Sequence, residues 1–315
     1  MQIVISSITA DYNNNNNNNN MLNFGYWNQN TNGPLEAQEE LCKLIGKFGD
    51  FQSAERIIDV GSGFSAPAIQ WKLTYNSLDI VCVNINSRQL YSAVKMTLVP
   101  INNNNNDTET RRNTTTSAAA TTAILTGGDL ISFVNATATR LPFANSCVDR
   151  IVALESSQHF KPLLFFVRES KRILKKGGLV IIAIPIINSN SVVTGGIKNL
   201  IQEFTKLGIL YFTWASEHYT LEKIKSILKS EEFDIQDIQR IGQHVYEPVT
   251  DYYIKKRKLL KERVKLNLSS SSSSSDIQLI LFEIVEHIVY KSALKMKDLS
   301  NKGIIDYLLI KAAKN

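Results

Sequence analysis

The chain has 315 residues, 43% of them hydrophobic, which is enough to bury the core of one large or two modest domains. Its formal net charge of +6 permits attraction to an anionic partner without demanding one. The three cysteines, Cys42, Cys82 and Cys147, form no CxxC pair, which excludes a disulfide framework and a cysteine-based zinc site and fits a reducing, cytoplasmic setting.

The first residues, MQIVISSITADY, carry no basic segment ahead of their apolar ones, so no signal peptide is expected. The longest apolar run, 179–187, includes Pro185 and falls well short of the roughly 20 residues a spanning helix needs. Three low-complexity tracts punctuate the chain: asparagines at 13–20, a polar stretch from 102 to about 122, and serines at 269–275. None can bury enough apolar surface to offset its ordering entropy, so each predicts a mobile loop or tail. The expected organisation is a disordered tail over 1–20 and one domain over 21–315. Flexible insertions are placed near 101–123 and 267–276, and a variable lid over about 188–300.

Between the tracts, short apolar runs alternate with helical periodicity. Strands are predicted at 56–60, 78–83, 131–134, 148–154 and 179–185, with Val245 and 304–310 as candidates to close the sheet. Helices are predicted at 35–48, 66–75, 88–98 and 160–174; the segments 200–214, 221–228 and 277–290 fall, with the basic stretch, in the variable part after the fifth strand. This alternation implies an α/β fold, a doubly wound and mostly parallel sheet covered on both faces. Ligands in such folds bind beyond the carboxyl ends of the strands, where the strand order reverses.

The first strand runs into Asp59-Val60-Gly61-Ser62-Gly63. The glycines allow a tight turn and close approach of a ligand to the backbone. A carboxylate two residues before the first glycine would repel a pyrophosphate but suits a cationic group such as an amino-acid ammonium. About twenty residues later the second strand ends at Asn84, where a ribose-binding side chain is expected. Asn84 is an amide rather than an acid and can still hydrogen-bond two hydroxyls.

These residues, with several others, resemble class I S-adenosylmethionine-dependent methyltransferases. Leu141-Pro142-Phe143 followed by Val148-Asp149-Arg150-Ile151-Val152 is similar to the family's segment before the fourth strand. Arg172-Ile173-Leu174-Lys175-Lys176-Gly177-Gly178 is similar to its turn into the fifth, with Lys176 in place of proline. Asn23-Phe24-Gly25-Tyr26-Trp27 and Ala37-Gln38 resemble the opening of its small-molecule members, and 303–311 resembles its closing strand. The subgroup of sterol, tocopherol, cyclopropane and small natural-product methyltransferases is nearest, on the register of Asn84, Asn86 and Gln89. The resemblance implies a seven-stranded Rossmann-like fold with a helical lid and S-adenosyl-L-methionine as cofactor. It places Asp59, Gly61, Ser62 and Gly63 at the methionine end and Asn84 and Gln89 at the ribose. Thr137 and the Ala138 N–H fall to the adenine, and Tyr26 to a lid over the cofactor. Thr137 stands where the family has Asp, Ser65 where a third Gly is usual, and Ser62 where Cys is frequent; Thr137 and Ser65 bear on the strength of cofactor binding.

The stretch Ala153-Leu154-Glu155-Ser156-Ser157-Gln158-His159-Phe160 resembles the family segment facing the transferred methyl. His159 is the candidate base, since histidine titrates near neutral pH, and Glu155 a candidate to position the cofactor or a cationic transition state. His218 and His244 are weaker candidates. The aromatic set between Phe204 and Trp214 could line a hydrophobic acceptor pocket. The implied reaction is methyl transfer to a small, hydrophobic acceptor, a lipid-like one included, with no metal and no nucleic acid. The alternatives are a non-catalytic binding module with this fold, or a methyltransferase acting on nucleic acid or protein. The basic segment 255–265 reads first as a solvated helix face and second as a weak membrane-surface contact or a nucleic-acid contact. The sequence leaves the oligomeric state open.

Overall fold

A computed structural model describes residues 21–97, 131–188, 219–270 and 276–315. The asparagine tract at 13–20, the polar stretch at 102–122, the aromatic set at 204–214 and His218 lie outside these residues, as do 271–275 of the serine tract. Seven strands form one sheet: β1 (Arg56–Val60), β2 (Asp79–Asn84), β3 (Ile131–Asn135), β4 (Val148–Leu154), β5 (Leu174–Ile187), β6 (Phe233–Arg240) and β7 (Ile305–Lys314). Their order is β3-β2-β1-β4-β5-β7-β6. The pairs from β3 through β5 are parallel, and β7 runs antiparallel to both β5 and β6. The sheet is thus mostly parallel and doubly wound, and its order reverses between β1 and β4.

Seven helices of the described residues flank it: α1 (Pro34–Phe48), α2 (Ala66–Thr74), α3 (Ser87–Thr97), α4 (Leu163–Ile173), α5 (Leu221–Ser230), α6 (Tyr246–Ser270) and α7 (Asp276–Asn301). Side chains alternate across the sheet with the two-residue period of a strand. On β1, Ile57 joins a core with Leu41 and Ile45 of α1, Trp71 of α2 and Met296 of α7. Ile58 joins the opposite core with Phe166 and Val167 of α4 and Ile224 of α5. Asp59 therefore falls on the same face as Ile57, beneath α1 and the residues that precede it.

Two expectations are corrected. Val245 is not in a strand; it lies between a short 3-10 turn (Gly242–His244) and α6, and the sixth strand is Phe233–Arg240. That edge strand, FDIQDIQR, exposes one face to solvent and so lacks the continuous apolar run of a central strand. The span expected as lid, 188–300, accordingly supplies a strand of the sheet as well as helices. The insertion placed at 267–276 begins in helix: α6 runs to Ser270, and α7 starts at Asp276.

Two motif segments are tied together by one side chain. Arg172, late in α4, donates to the carbonyls of Leu141 (2.9 Å) and Phe143 (2.7 Å) and to both carboxylate oxygens of Glu169. Glu169 accepts in turn from the Leu141 N–H at 2.8 Å. The Leu-Pro-Phe loop thus has no hydrogen-bonding partner strand of its own there, but its carbonyls are satisfied by a charged fork.

Candidate functional site

A cavity of about 580 Å³ opens at the carboxyl ends of β1, β2 and β4, next to the reversal in strand order. Its wall includes Asp59, Gly61, Ser62 and Gly63 after β1, Asn84 and Gln89 after β2, Thr137 and Ala138 after β3, and Glu155 and His159 after β4. Ten of the eleven residues singled out in the sequence are brought together here. The eleventh, Tyr26, does not line the cavity: its ring packs on His244 at 4.8 Å between centroids, and its N–H donates to Ala37. Leu22 and Asn23 line the cavity instead.

The β1 turn explains its glycines. Gly61 has φ +76° and Gly63 φ +58°, conformations costly for a side chain. The Ser156 hydroxyl donates to the Val60 carbonyl at 2.6 Å, so the β4 loop lies against the turn. A Cβ on Gly61 would stand closer to the Ser156 Cβ than unbonded carbons approach. Ser65, where a third glycine is usual, also has a left-handed backbone, φ +59°. Its hydroxyl donates to that of Ser62 at 3.0 Å.

Asp59 is 2% exposed, and no described residue gives its carboxylate a hydrogen bond or an ion pair. Desolvation raises its pKa to about 7. A carboxylate in that state is poised for a cation. Asn84 donates to the Gln89 side chain at 2.8 Å and to the Gly63 carbonyl at 3.2 Å, so the two amides form one polar ledge. The Thr137 and Thr139 hydroxyls share a hydrogen bond of 3.0 Å. The Ala138 N–H has no acceptor among the described residues.

At the other end, Glu155 sits at φ +49° and its Oε1 accepts from the Phe24 N–H (2.9 Å) and the Tyr307 hydroxyl (3.0 Å). Gln38, fully buried in α1, donates to the carbonyls of Met21 and Asn23. These contacts hold residues 21–24 as one wall of the cavity. The Asn23 Oδ1 is buried without a partner among the described residues. His159 is exposed at the cavity mouth, and its ring makes no hydrogen bond to the described residues. The protein atoms packed around it, and then the Lys161 ammonium, hold its pKa below the usual histidine value. His244 is taken up structurally, with Nδ1 3.1 Å from the Trp27 carbonyl.

Sequence reasoning missed Leu22, Asn23, Ser156 and Lys161 in this wall. Leu22 precedes the aromatic motif and Asn23 opens it, but its rings drew the assignment. Ser156 and Lys161 flank recognised positions but carry no chemistry legible in sequence.

A seven-stranded sheet in this order, with a glycine turn at the switch point and beneath it an acid unpaired among the described residues, has the fold of the Rossmann-like methyltransferases. The methyltransferase-domain family matches residues 58–182, from β1 into β5. Erythromycin 3''-O-methyltransferase of Saccharopolyspora erythraea is 25% identical over 252 residues, 79% of this chain and 72% of that protein. Among solved structures, the cyclopropane synthase MmaA2 of Mycobacterium tuberculosis aligns with TM-score 0.66 at 17% identity, covering 94% of this chain and 90% of that one. Geranyl diphosphate C-methyltransferase of Streptomyces coelicolor aligns with TM-score 0.62 at 12% identity, covering 99% and 98%. The two structures share the fold. Residues 58–182 match a methyltransferase domain on this fold, and the activity is methyl transfer from S-adenosyl-L-methionine.

Proposed function

We propose that this methyltransferase acts on a small, hydrophobic molecule bearing a hydroxyl, and that its cofactor lies in the cavity between β1, β2 and β4. The observation that carries the placement is Asp59, a buried carboxylate on the cavity wall with no cation to pair with among the described residues. Its environment suits the methionine ammonium. In this reading Asn84 and Gln89 hold the ribose hydroxyls, and the Ala138 N–H with the Thr137 hydroxyl meets the adenine edge. Gly61, Ser62 and Gly63 leave the backbone open to the methionyl chain.

When bound, S-adenosylmethionine supplies a methyl group on a sulfonium, which passes in line to the acceptor oxygen while sulfur keeps the bonding electron pair. The chain's contribution is mainly alignment. A hydroxyl acceptor must also lose its proton, and in this reading His159, which lines the cavity, takes it. Its depressed pKa keeps the ring neutral, and so able to accept, at pH 7. The relative from Saccharopolyspora, whose name places the methyl on a 3''-oxygen, supports an oxygen acceptor. The apolar segment at 204–214 supports a hydrophobic one.

Calorimetry with S-adenosylmethionine tests the placement. Micromolar binding is expected, lost in Asp59→Ala and unaffected by NAD; binding that survives Asp59→Ala would overturn it. A screen of hydroxylated hydrophobic molecules for S-adenosylhomocysteine release then tests the acceptor class.

A further inference from the structure

The basic segment at 255–265 does not present all its charge to solvent. Helices α6 and α7 form an antiparallel hairpin in which Arg257 pairs with both oxygens of Glu286 (2.6 and 2.8 Å) and stacks on Tyr290. Lys261 and Lys265 pair with Glu283 at 2.5 and 2.6 Å. These three cations are spent inside the hairpin. Lys255, Lys256 and Lys258, with Lys291 on α7, make no ion pair among the described residues, and the acid left unpaired near them is Glu262.

The outer face of α7 is apolar. Ile280 (60% exposed), Leu281 (61%) and Ile284 (53%) continue into Val285 and Ile288, all open to solvent. Positions 280, 284 and 288, with 281 and 285, are the one-face spacing of a helix. The stripe runs about 12 Å along the axis at 1.5 Å per residue. Ile254 and Leu259 on α6 are exposed as well. A contiguous apolar stripe of this size marks an interaction surface. The Arg257–Glu286 pair sets the register of the hairpin, so Lys258 and Lys255 lie level with the C-terminal part of the stripe, and Lys291 follows it by one turn.

We propose that this hairpin lays its apolar stripe into the surface of an anionic lipid bilayer, with Lys255, Lys258 and Lys291 meeting the headgroups. Charge decides the occupant. A second copy docked face to face would bring like-charged lysines together, whereas an anionic surface neutralises them. No helix of the described residues is long and apolar enough to cross a membrane, so the hairpin would lie on the surface. The argument uses nothing of the acceptor or the cofactor.

The test is sedimentation of the full chain with phosphatidylcholine vesicles, with and without phosphatidylserine. The chain should partition onto the anionic vesicles and only weakly onto the neutral ones. Leu281→Asp with Ile284→Asp should reduce that partition by about a hundredfold, from loss of two buried side chains. Lys255→Glu with Lys258→Glu should reduce it by about tenfold or more and flatten its salt dependence. Both pairs are at the surface, and unchanged circular dichroism and S-adenosylmethionine affinity would show that each variant folds. The proposal is overturned if the parent chain ignores anionic vesicles, or if both variants bind them as the parent does. It is equally overturned if the apolar variant instead converts a dimer to a monomer without any vesicle binding.

Discussion

The Tyr307 hydroxyl donates to Oε1 of Glu155 over 3.0 Å, joining the last strand of the sheet to the loop that leaves β4. The same oxygen accepts from Phe24 N–H at 2.9 Å, so one carboxylate ties β7, the β4 loop and the segment before α1. Burial and the Glu155 charge push the Tyr307 pKa well above its ordinary value, and the phenol stays a donor. This geometry makes Glu155 a positioning residue for the cavity wall formed by Leu22 and Asn23.

Glu155→Ala should therefore leave the Tyr307 hydroxyl and the Phe24 N–H without their acceptor, at a cost of about 1–3 kcal/mol. Glu155→Gln keeps an oxygen in place and should recover most of that loss. In kinetics, the alanine variant should raise KM for S-adenosylmethionine more than it lowers kcat. An equal fall in both variants with KM unchanged would instead point to a direct part for the charge in the reaction.

Gly61 carries the tightest demand in the β1 turn, with φ +76° and Ser156 packed against it. Gly61→Ala combines backbone strain with a clash against a loop held by the Ser156–Val60 hydrogen bond. A loss of roughly 2–4 kcal/mol is expected from strain and overpacking together. Urea denaturation would read it as a lower midpoint at unchanged slope. Gly63→Ala should cost less, because a Cβ there meets only Leu22 at 3.8 Å.

Among the parts of the fold that the sequence revealed are the strands buried on both faces. The bounds of β1 and β4 were legible from apolar runs ending in glycine or a polar turn, because a central parallel strand has no solvent face to interrupt the pattern. The edge strand β6 was not, since Asp234, Asp237 and Arg240 break its periodicity and its place depends on β7, some seventy residues away. The site followed the same logic. Residues just past the strand ends were legible because topology alone brings them together. Tyr26 was misplaced because which way an aromatic ring turns from the chain is decided by its partner, His244, more than two hundred residues distant. Likewise the charge of 255–265 looked available until Glu283 and Glu286 were seen to absorb part of it.

Asp59 gives the cavity a pH dependence. Its folded pKa of about 7 lies above the ordinary 3.8, because burial disfavours the charged form. The sign follows: the ligand-free fold is favoured by this group at low pH, and that stability declines as pH rises from about 4 to 7. A cationic ligand reverses the preference by pairing with the ionised form. S-adenosylmethionine affinity should thus rise with pH up to about 7, by at most about tenfold per unit, and then level off. Titration calorimetry between pH 5.5 and 8 would show it, with net proton release at the acid end. In Asp59→Asn the affinity should be weak and nearly flat across the same range. A parent chain with flat affinity would mean that the ammonium does not sit on this carboxylate.

His159 faces the cavity without a hydrogen-bonding partner among the described residues, unlike His244, which is why His159 is the one proposed as the base. The desolvation that lowers its pKa, aided by Lys161, extends the neutral form toward lower pH. With an oxygen acceptor, the acid limb of the kcat profile should therefore fall below the ordinary histidine value of 6.5. His159→Gln should lower kcat by roughly a hundredfold to ten-thousandfold, the range of a lost general base, and remove that limb. Cofactor affinity should be nearly unchanged, because the proposed methionine, ribose and adenine contacts lie on other residues of the wall. Lys161→Met should move the limb upward, since removing the neighbouring cation restores part of the imidazole's basicity. A His159→Gln enzyme with parental kcat would show that the acceptor gives up its proton elsewhere or has none to lose.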